Sequence, residues 1–480
     1  MRLSRATLSR VAPAARPLAL PRLTGVVHLG IGAFHRAHQA VYTERAMAAT
    51  GDDRWGICGV SQRSTDVADR LRPQDCLYGV RAGDEVRVVG SVREVLVPGD
   101  DLAARLAAPQ TAVVTLTVTE KAYRRDTMPW SGPGAVPGAV PGRPVPGAAP
   151  GRPVPGVVGR LVAGLRARAA ADAGPLTVVS CDNLPDNGAT LARLVAELCE
   201  PPLLRWVEEN VTFPATMVDR IVPATTPADL DDVAARLGVT DLGAVVTEPF
   251  TQWVIEDRFA GDRPAWERAG ALLVDDVRPY ERMKLRLLNG SHSAIAYLSG
   301  AAYVSEAVAD PAFAAFLRRL MDDDLTPTLG GLDGFDLPAY KESLLARFAN
   351  PGLRHRVAQI AADGSQKLPQ RLLDPARDRL AAGREPRWIA LAVAGWMRHV
   401  TTCRELDDPL AARLRGDETA SFSSTAAATV RRLLAVEEIF GADLRDDRVF
   451  RDLVTDCLER LAADDLPTVL HALDADSATH

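Results

Sequence analysis

At 480 residues the chain is long enough for two or more domains around a large core. Its 47% hydrophobic and 25% charged content is that of an ordinary globular protein. A formal net charge of −6 gives no electrostatic basis for attraction to nucleic acid or an anionic membrane, so the expectation is small-molecule chemistry with no nucleic-acid and no membrane partner.

The first 24 residues carry Arg2, Arg5, Arg10, Arg16 and Arg22 without an acid, a pattern that superficially resembles a transit peptide. They lack the apolar core of a secretory signal, and no later stretch approaches the roughly 18 apolar residues of a membrane span. A cytoplasmic location is therefore expected. The cysteines Cys58, Cys76, Cys181, Cys199, Cys403 and Cys457 are scattered and form no CxxC pair, which reads as buried reduced thiols.

From Val26 the chain reads VVHLGIGAFHRAH, an apolar run opening into Gly30-Ile31-Gly32 and then a helical stretch, RAHQAVYTERAMAA. A strand, a glycine turn and a helix start together make a pyrophosphate site, because glycine permits close backbone approach and free helix N–H groups favour anions. His35 stands where the usual fingerprint has its third glycine, and a plain strand-to-helix turn is an equal reading of this segment alone. His28, His35 and His38 have no carboxylate or thiol at ligand spacing, so no metal is expected.

The runs VVHLG, WGICGV, AVVTLTV and LTVVSC alternate with helical patterns such as TLARLVAELC, which implies a parallel sheet covered by helices. Residues 1–283 read as a Rossmann-type dinucleotide-binding domain of an α/β fold. Within it, residues 132–156 (GPGAVPGAVPGRPVPGAAPGRPVPG) cannot bury a core and read as a mobile surface loop or linker. After Lys284 the pattern is helical throughout, in AFLRRLMDDDL, YKESLLARFA, WIALAVAGWMRHV, TAAATVRRLLAVEEIF and RVFRDLVTDCLERLA. Residues 284–480 are thus expected to be a mostly α-helical substrate domain, with the active site where the two domains meet.

That second domain opens on KLRLLNGSHS, Lys284 to Ser293. In an α-helix, steps of about 100° per residue place Lys284, Asn289 and His292 within an arc of roughly 140°. An amine whose pKa falls on burial, a neutral amide donor and an imidazole suit the interconversion of an alcohol and a ketone. An ordinary helix with a solvated lysine and a core histidine is the competing reading of these ten residues.

Taken in order, GIGAFHRAH, TVTEKAY, SCDNLPDNG, FPATMVDRIVP, EPFTQWVIED, KLRLLNGSHS and DGSQKLPQRLL resemble the polyol-specific long-chain dehydrogenases, the mannitol dehydrogenase family, over almost the whole chain. The resemblance implies Lys284 as general acid and base, Asn183 and Asn289 as paired amides on the reacting oxygen, and His292 as a substrate-binding residue. Glu281 matches an acid on the lysine's proton path, although a surface helix acid is an equal reading. Gly30, Gly32, Phe34 and Asp66 fall at the cofactor positions. Arg63 argues for NADP, but Asp66 matches the acid that would accept the ribose hydroxyls and repel a 2′-phosphate, so NAD is the expected cofactor. The substrate is expected to be a sugar, polyol or sugar acid. The wording of TEKAY, KLRLLNGSHS and RHRVAQIAADGSQKLPQRLL sits closer to the family's fructuronate reductases than to its mannitol 2-dehydrogenases. A uronate carboxylate calls for a guanidinium fork, for which Arg286, Arg354 and Arg356 are the candidates. A non-catalytic sugar or nucleotide sensor is the reading from a different class, opposed by the complete Lys, Asn, Asn and His set.

Overall fold

A computed structural model describes residues 1–118, 123, 156–332, 334–353, 355–415 and 425–477. Apart from Gly156 the expected Pro/Gly-rich loop lies outside these residues, as does Arg354. The chain divides into two compact units, Met1–Arg278 and Pro279–His480, so the division falls between Arg278 and Pro279 rather than at the expected Met283 and Lys284.

The strands of the first unit are β1 (Thr24–Leu29), β2 (Gly56–Val60), β3 (Tyr78–Ala82), β4 (Glu85–Val89), β5 (Val92–Leu96), β6 (Val113–Leu116), β7 (Leu176–Ser180), β8 (Val211–Thr212), β9 (Thr216–Asp219), β10 (Val245–Thr247), β11 (Gln252–Glu256) and β12 (Leu272–Val274). Six of them form a parallel sheet in the order β5-β2-β1-β6-β7-β8. Strands β1, β2, β6 and β7 are buried along their whole length, as unbroken apolar runs in a sheet covered on both faces should be. Alternate residues enter different cores: Val26, Ile57, Val113 and Val179 pack with Trp55, Tyr78 and Trp253, whereas Val27, Cys58, Val114 and Val178 pack with Leu161, Leu191 and Phe213. Strand order runs outward from β1 in both directions and reverses between β1 and β6. Sheets of this kind bind ligands at such a reversal, at the carboxyl ends of the strands.

Sequence patterning did not indicate two smaller sheets, β10-β3-β4 and β12-β11-β9. The arginine-rich start of the chain is part of the fold: Leu3 and Val11 are buried against Leu77, Val88 and Val233, and Leu3 N–H donates to Thr240 O at 2.8 Å. All six cysteines are free, but only Cys58, Cys76, Cys181 and Cys457 are buried; Cys199 and Cys403 are partly exposed, which corrects the expectation for those two.

Among the described residues the second unit is helical apart from one isolated bridge between Tyr303 and Arg356. Its helix Arg387–Thr402 is buried without a break from Trp388 to Met397, as befits a helix at the centre of a bundle. Gly395 lets it approach helix Gly290–Leu298, since a Cβ there would meet Leu298 Cδ2 at 2.5 Å. No helix among the described residues is long and apolar enough to cross a membrane.

Candidate active site

At the sheet's reversal point β1 is followed by Gly30, with φ of +103° and space for no side chain: a Cβ would lie 2.2 Å from Thr117 O. The adjoining strand ends are pinned by His28, fully buried, whose Nε2 lies 3.0 Å from Gly30 O and 2.8 Å from Thr117 Oγ1, with Nδ1 2.7 Å from Thr115 Oγ1. Because a carbonyl only accepts, Nε2 carries the proton and Nδ1 accepts from Thr115. Burial pushes this imidazole down to about 3, so it stays neutral.

His35, at the place of the missing third glycine, is also fully buried and stacks flat on His28, centroids 3.4 Å apart and planes 14° from parallel. That glycine normally permits close strand-to-helix packing; here two stacked rings fill the space. The three histidines thus serve packing and strand pinning, His38 Nε2 donating to Gln252 O at 3.0 Å. No group of three or more His, Cys, Asp or Glu among the described residues could hold a metal ion.

Gly32 caps the helix Ala33–Ala37 and is exposed; the nearest atom to a Cβ built there is Gly30 O at 3.9 Å. One glycine is therefore demanded by the protein, while the other leaves open space over the turn. Phe34 is half-buried and stacks on His38, centroids 5.1 Å apart. Asp66 is exposed, begins the helix Asp66–Leu71 beyond β2 and accepts a hydrogen bond from Ser64 Oγ at 3.0 Å. Arg63, also exposed, lies three residues before it.

Asn183 is exposed in the loop after β7, at the carboxyl end of the same sheet. The residues around it hold the loop. Asp182 accepts from Val118 N–H at 2.8 Å and from Tyr123 OH at 2.7 Å. Asn187 donates to Asp182 O and Thr216 O at 3.0 and 2.8 Å, and its own oxygen accepts from Thr216 N–H at 3.0 Å. A Cβ on Gly188 would meet Phe213 O at 2.6 Å. Tyr123, Asp182, Asn187 and Thr216 thus join three of the sequence motifs into one support, positioning roles that the sequence reading missed although the residues lie inside the motifs.

In the second unit Lys284–Asn289 is a π-helix, between the α-helices Arg278–Met283 and Gly290–Leu298. The Gly290 N–H donates to Leu285 O, five residues back. The α-helical arc of about 140° is therefore corrected: the wider π turn brings Lys284 and Asn289 nearer to one face than α-helical spacing would, while His292 follows three residues later in regular α geometry. Lys284 is half-buried; Asn289 and His292 are buried. The Nε2 of His292 has no hydrogen-bond partner, and burial followed by the His355, Arg371 and Arg347 charges holds the ring well below the usual imidazole range. Glu281 is half-buried on the preceding helix.

The arginine candidates fare differently. Arg286 is buried and donates to Thr328 O at 2.8 Å and to Asp378 Oδ2 at 2.6 Å, so its charge is paired within the fold. Arg356 is exposed at the start of helix Val357–Ala361. A guanidinium that the sequence reading passed over, Arg371 of DGSQKLPQRLL, instead donates to Asn289 O at 3.4 Å and Ser293 Oγ at 3.2 Å.

Residues 24–268 match the mannitol dehydrogenase Rossmann domain and residues 276–462 the mannitol dehydrogenase C-terminal domain. The chain is 45% identical to the uncharacterized oxidoreductase YeiQ of Escherichia coli, over 88% of this chain and 89% of that one. It is 43% identical to the D-mannonate oxidoreductase of the same organism, over 91% and 93%. Among solved structures, the ternary complex of Pseudomonas fluorescens mannitol 2-dehydrogenase with NAD and D-mannitol matches at a TM-score of 0.77 and 36% identity, covering 98% of this chain and 99% of that one. The protein therefore belongs to the mannitol dehydrogenase family and is an oxidoreductase acting on CH–OH groups.

Proposed function

We propose that the chain interconverts a keto-uronate and the corresponding secondary alcohol with NAD as cofactor and Lys284 as general acid and base. The observation that carries this reading is the π-helix, whose wider turn brings Lys284 and Asn289 toward one face ahead of a buried His292 with Nε2 unused among the described residues. The first unit fits a dinucleotide: Gly30 is forced by the fold, Gly32 leaves the turn open, and Asp66 stands exposed beyond the second strand. Asp66 supports NAD over NADP, since a carboxylate accepts from ribose hydroxyls and repels a phosphate.

When bound, the dinucleotide supplies the hydride delivered to the carbonyl carbon. The chain's residues handle the oxygen. Lys284 gives it a proton in reduction and removes the hydroxyl proton in oxidation. Asn183 and Asn289 are the neutral amide donors to the oxygen as it gains negative charge; losing one such donor typically costs about 3 to 4 kcal/mol in the transition state. His292 offers its unused Nε2 to the substrate, and Glu281 lies one helical turn before Lys284, suited to proton exchange.

The relative named D-mannonate oxidoreductase supports the keto-uronate class, while the complex with D-mannitol supports a neutral polyol as the second reading. Assaying D-mannonate and D-mannitol with NAD and NADP, for wild type and Lys284→Ala, tests both. D-mannonate oxidation with NAD should be the preferred reaction. Lys284→Ala should lose about 10²- to 10⁴-fold in turnover while NADH binding, followed by fluorescence, persists. Wild-type turnover in the variant would remove Lys284 from the chemistry.

A further inference from the structure

His292 and His355 stand edge to face in the second unit, centroids 5.0 Å apart and planes at 82°. Nε2 of His292 and Nδ1 of His355 are both buried and without a hydrogen-bond partner. Phe348 covers another side of His292, its centroid 4.9 Å away. Leaving two neighbouring ring nitrogens buried and unused is costly, unless a partner arrives from outside the chain.

The electrostatic surroundings say what kind of partner. The guanidinium groups of Arg371 and Arg347 both bear on the His292 ring. Arg371 reaches Asn289 O and Ser293 Oγ, so its charge lies against the helical turn that carries Asn289 and His292. Hydroxyl groups need no such positive field, whereas a carboxylate gains charge-assisted hydrogen bonds from guanidinium and imidazole N–H alike. Arg286 beside Lys284 does not serve, being committed to Asp378.

We propose that His292, His355 and Arg371 together receive the terminal carboxylate of an open-chain sugar acid. This rests on the reading of Lys284 as the proton-transfer residue, and it places the carboxylate end of the substrate at the imidazole pair. His355 and Arg371 then set the preference for an acid over a neutral polyol.

The test is titration calorimetry of the full chain, saturated with NADH, using D-mannonate and D-mannitol as probes. Wild type should bind D-mannonate in preference. Arg371→Leu and His355→Asn should each lower the D-mannonate to D-mannitol affinity ratio by about 10- to 100-fold, and Arg371→Lys should recover part of the loss. A ratio unchanged in both variants overturns the proposal; if Arg371→Leu fails to fold, His355→Asn alone decides. If wild type binds and oxidises D-mannitol but ignores D-mannonate, the carboxylate subsite falls and the oxidoreductase chemistry stands. If Lys284→Ala keeps full turnover, the Lys284 assignment falls, while the binding ratio still judges the subsite.

Discussion

At the residue scale, the proposed preference for NAD rests on Asp66. Asp66 is exposed beyond β2 and accepts from the Ser64 hydroxyl, and the exposed Arg63 lies three residues before it. Asp66→Ala should therefore raise the efficiency with NADPH relative to NADH, because a repulsive carboxylate is lost and a guanidinium remains. The ratio of kcat/KM for the two cofactors reads this directly, and an unmoved ratio would mean that Asp66 does not face the ribose. At the same scale Gly30 and His35 show how a degenerate fingerprint survives. The strained glycine is kept where a Cβ would strike Thr117, whereas the packing glycine is replaceable once His28 and His35 stack.

At the scale of elements, helix ends and helix register are set by buried polar groups. Asp324, in the π-helix Leu320–Leu325, accepts from N–H groups in the first turn of the central helix, Trp388 at 2.8 Å and Ile389 at 3.0 Å. Burial outweighs these donors and pushes its carboxyl up to about 7. A carboxyl raised on folding keeps a proton that the unfolded chain has released. Its contribution to stability is complete below about pH 4 and is lost as pH rises through 7. His28 acts in the opposite sense: held near 3 in the fold, it contributes above about pH 6.5 and that contribution is lost as pH falls toward 3. Asp324→Asn keeps a carbonyl oxygen for both N–H donors and removes the titration. Its denaturant stability should fall less steeply than wild type between pH 4 and 7; identical slopes would show the native carboxyl to be already ionised.

For the whole molecule, composition alone sets one expectation. Residues 132–156 have a composition that cannot form a core, so a Gly/Ser linker able to span the same ends should leave melting temperature and turnover close to wild type. A large loss of solubility or activity would show that the segment packs or binds.

What the sequence by itself determined is what local periodicity can encode. The four strand-like runs became β1, β2, β6 and β7, and the three- and four-residue spacing after Lys284 became helices, because burial on two faces or on one stripe must be written into neighbouring residues. TAAATVRRLLAVEEIF already strained that rule: it is two helices, Ala426–Leu434 and Glu437–Asp446, with Val436 outside helical geometry between them. Tertiary structure alone decided the π register of Lys284–Asn289, since an i to i+5 bond is chosen by packing rather than by residue preference. It also decided which arginines are spent. Arg286 is neutralised by Asp378, 92 positions away, and Arg371 reaches Asn289 across 82. The two small sheets likewise join strands far apart in the chain, β3 with β10 and β9 with β11. Such pairings depend on the path of the whole backbone, and no local pattern of residues records them.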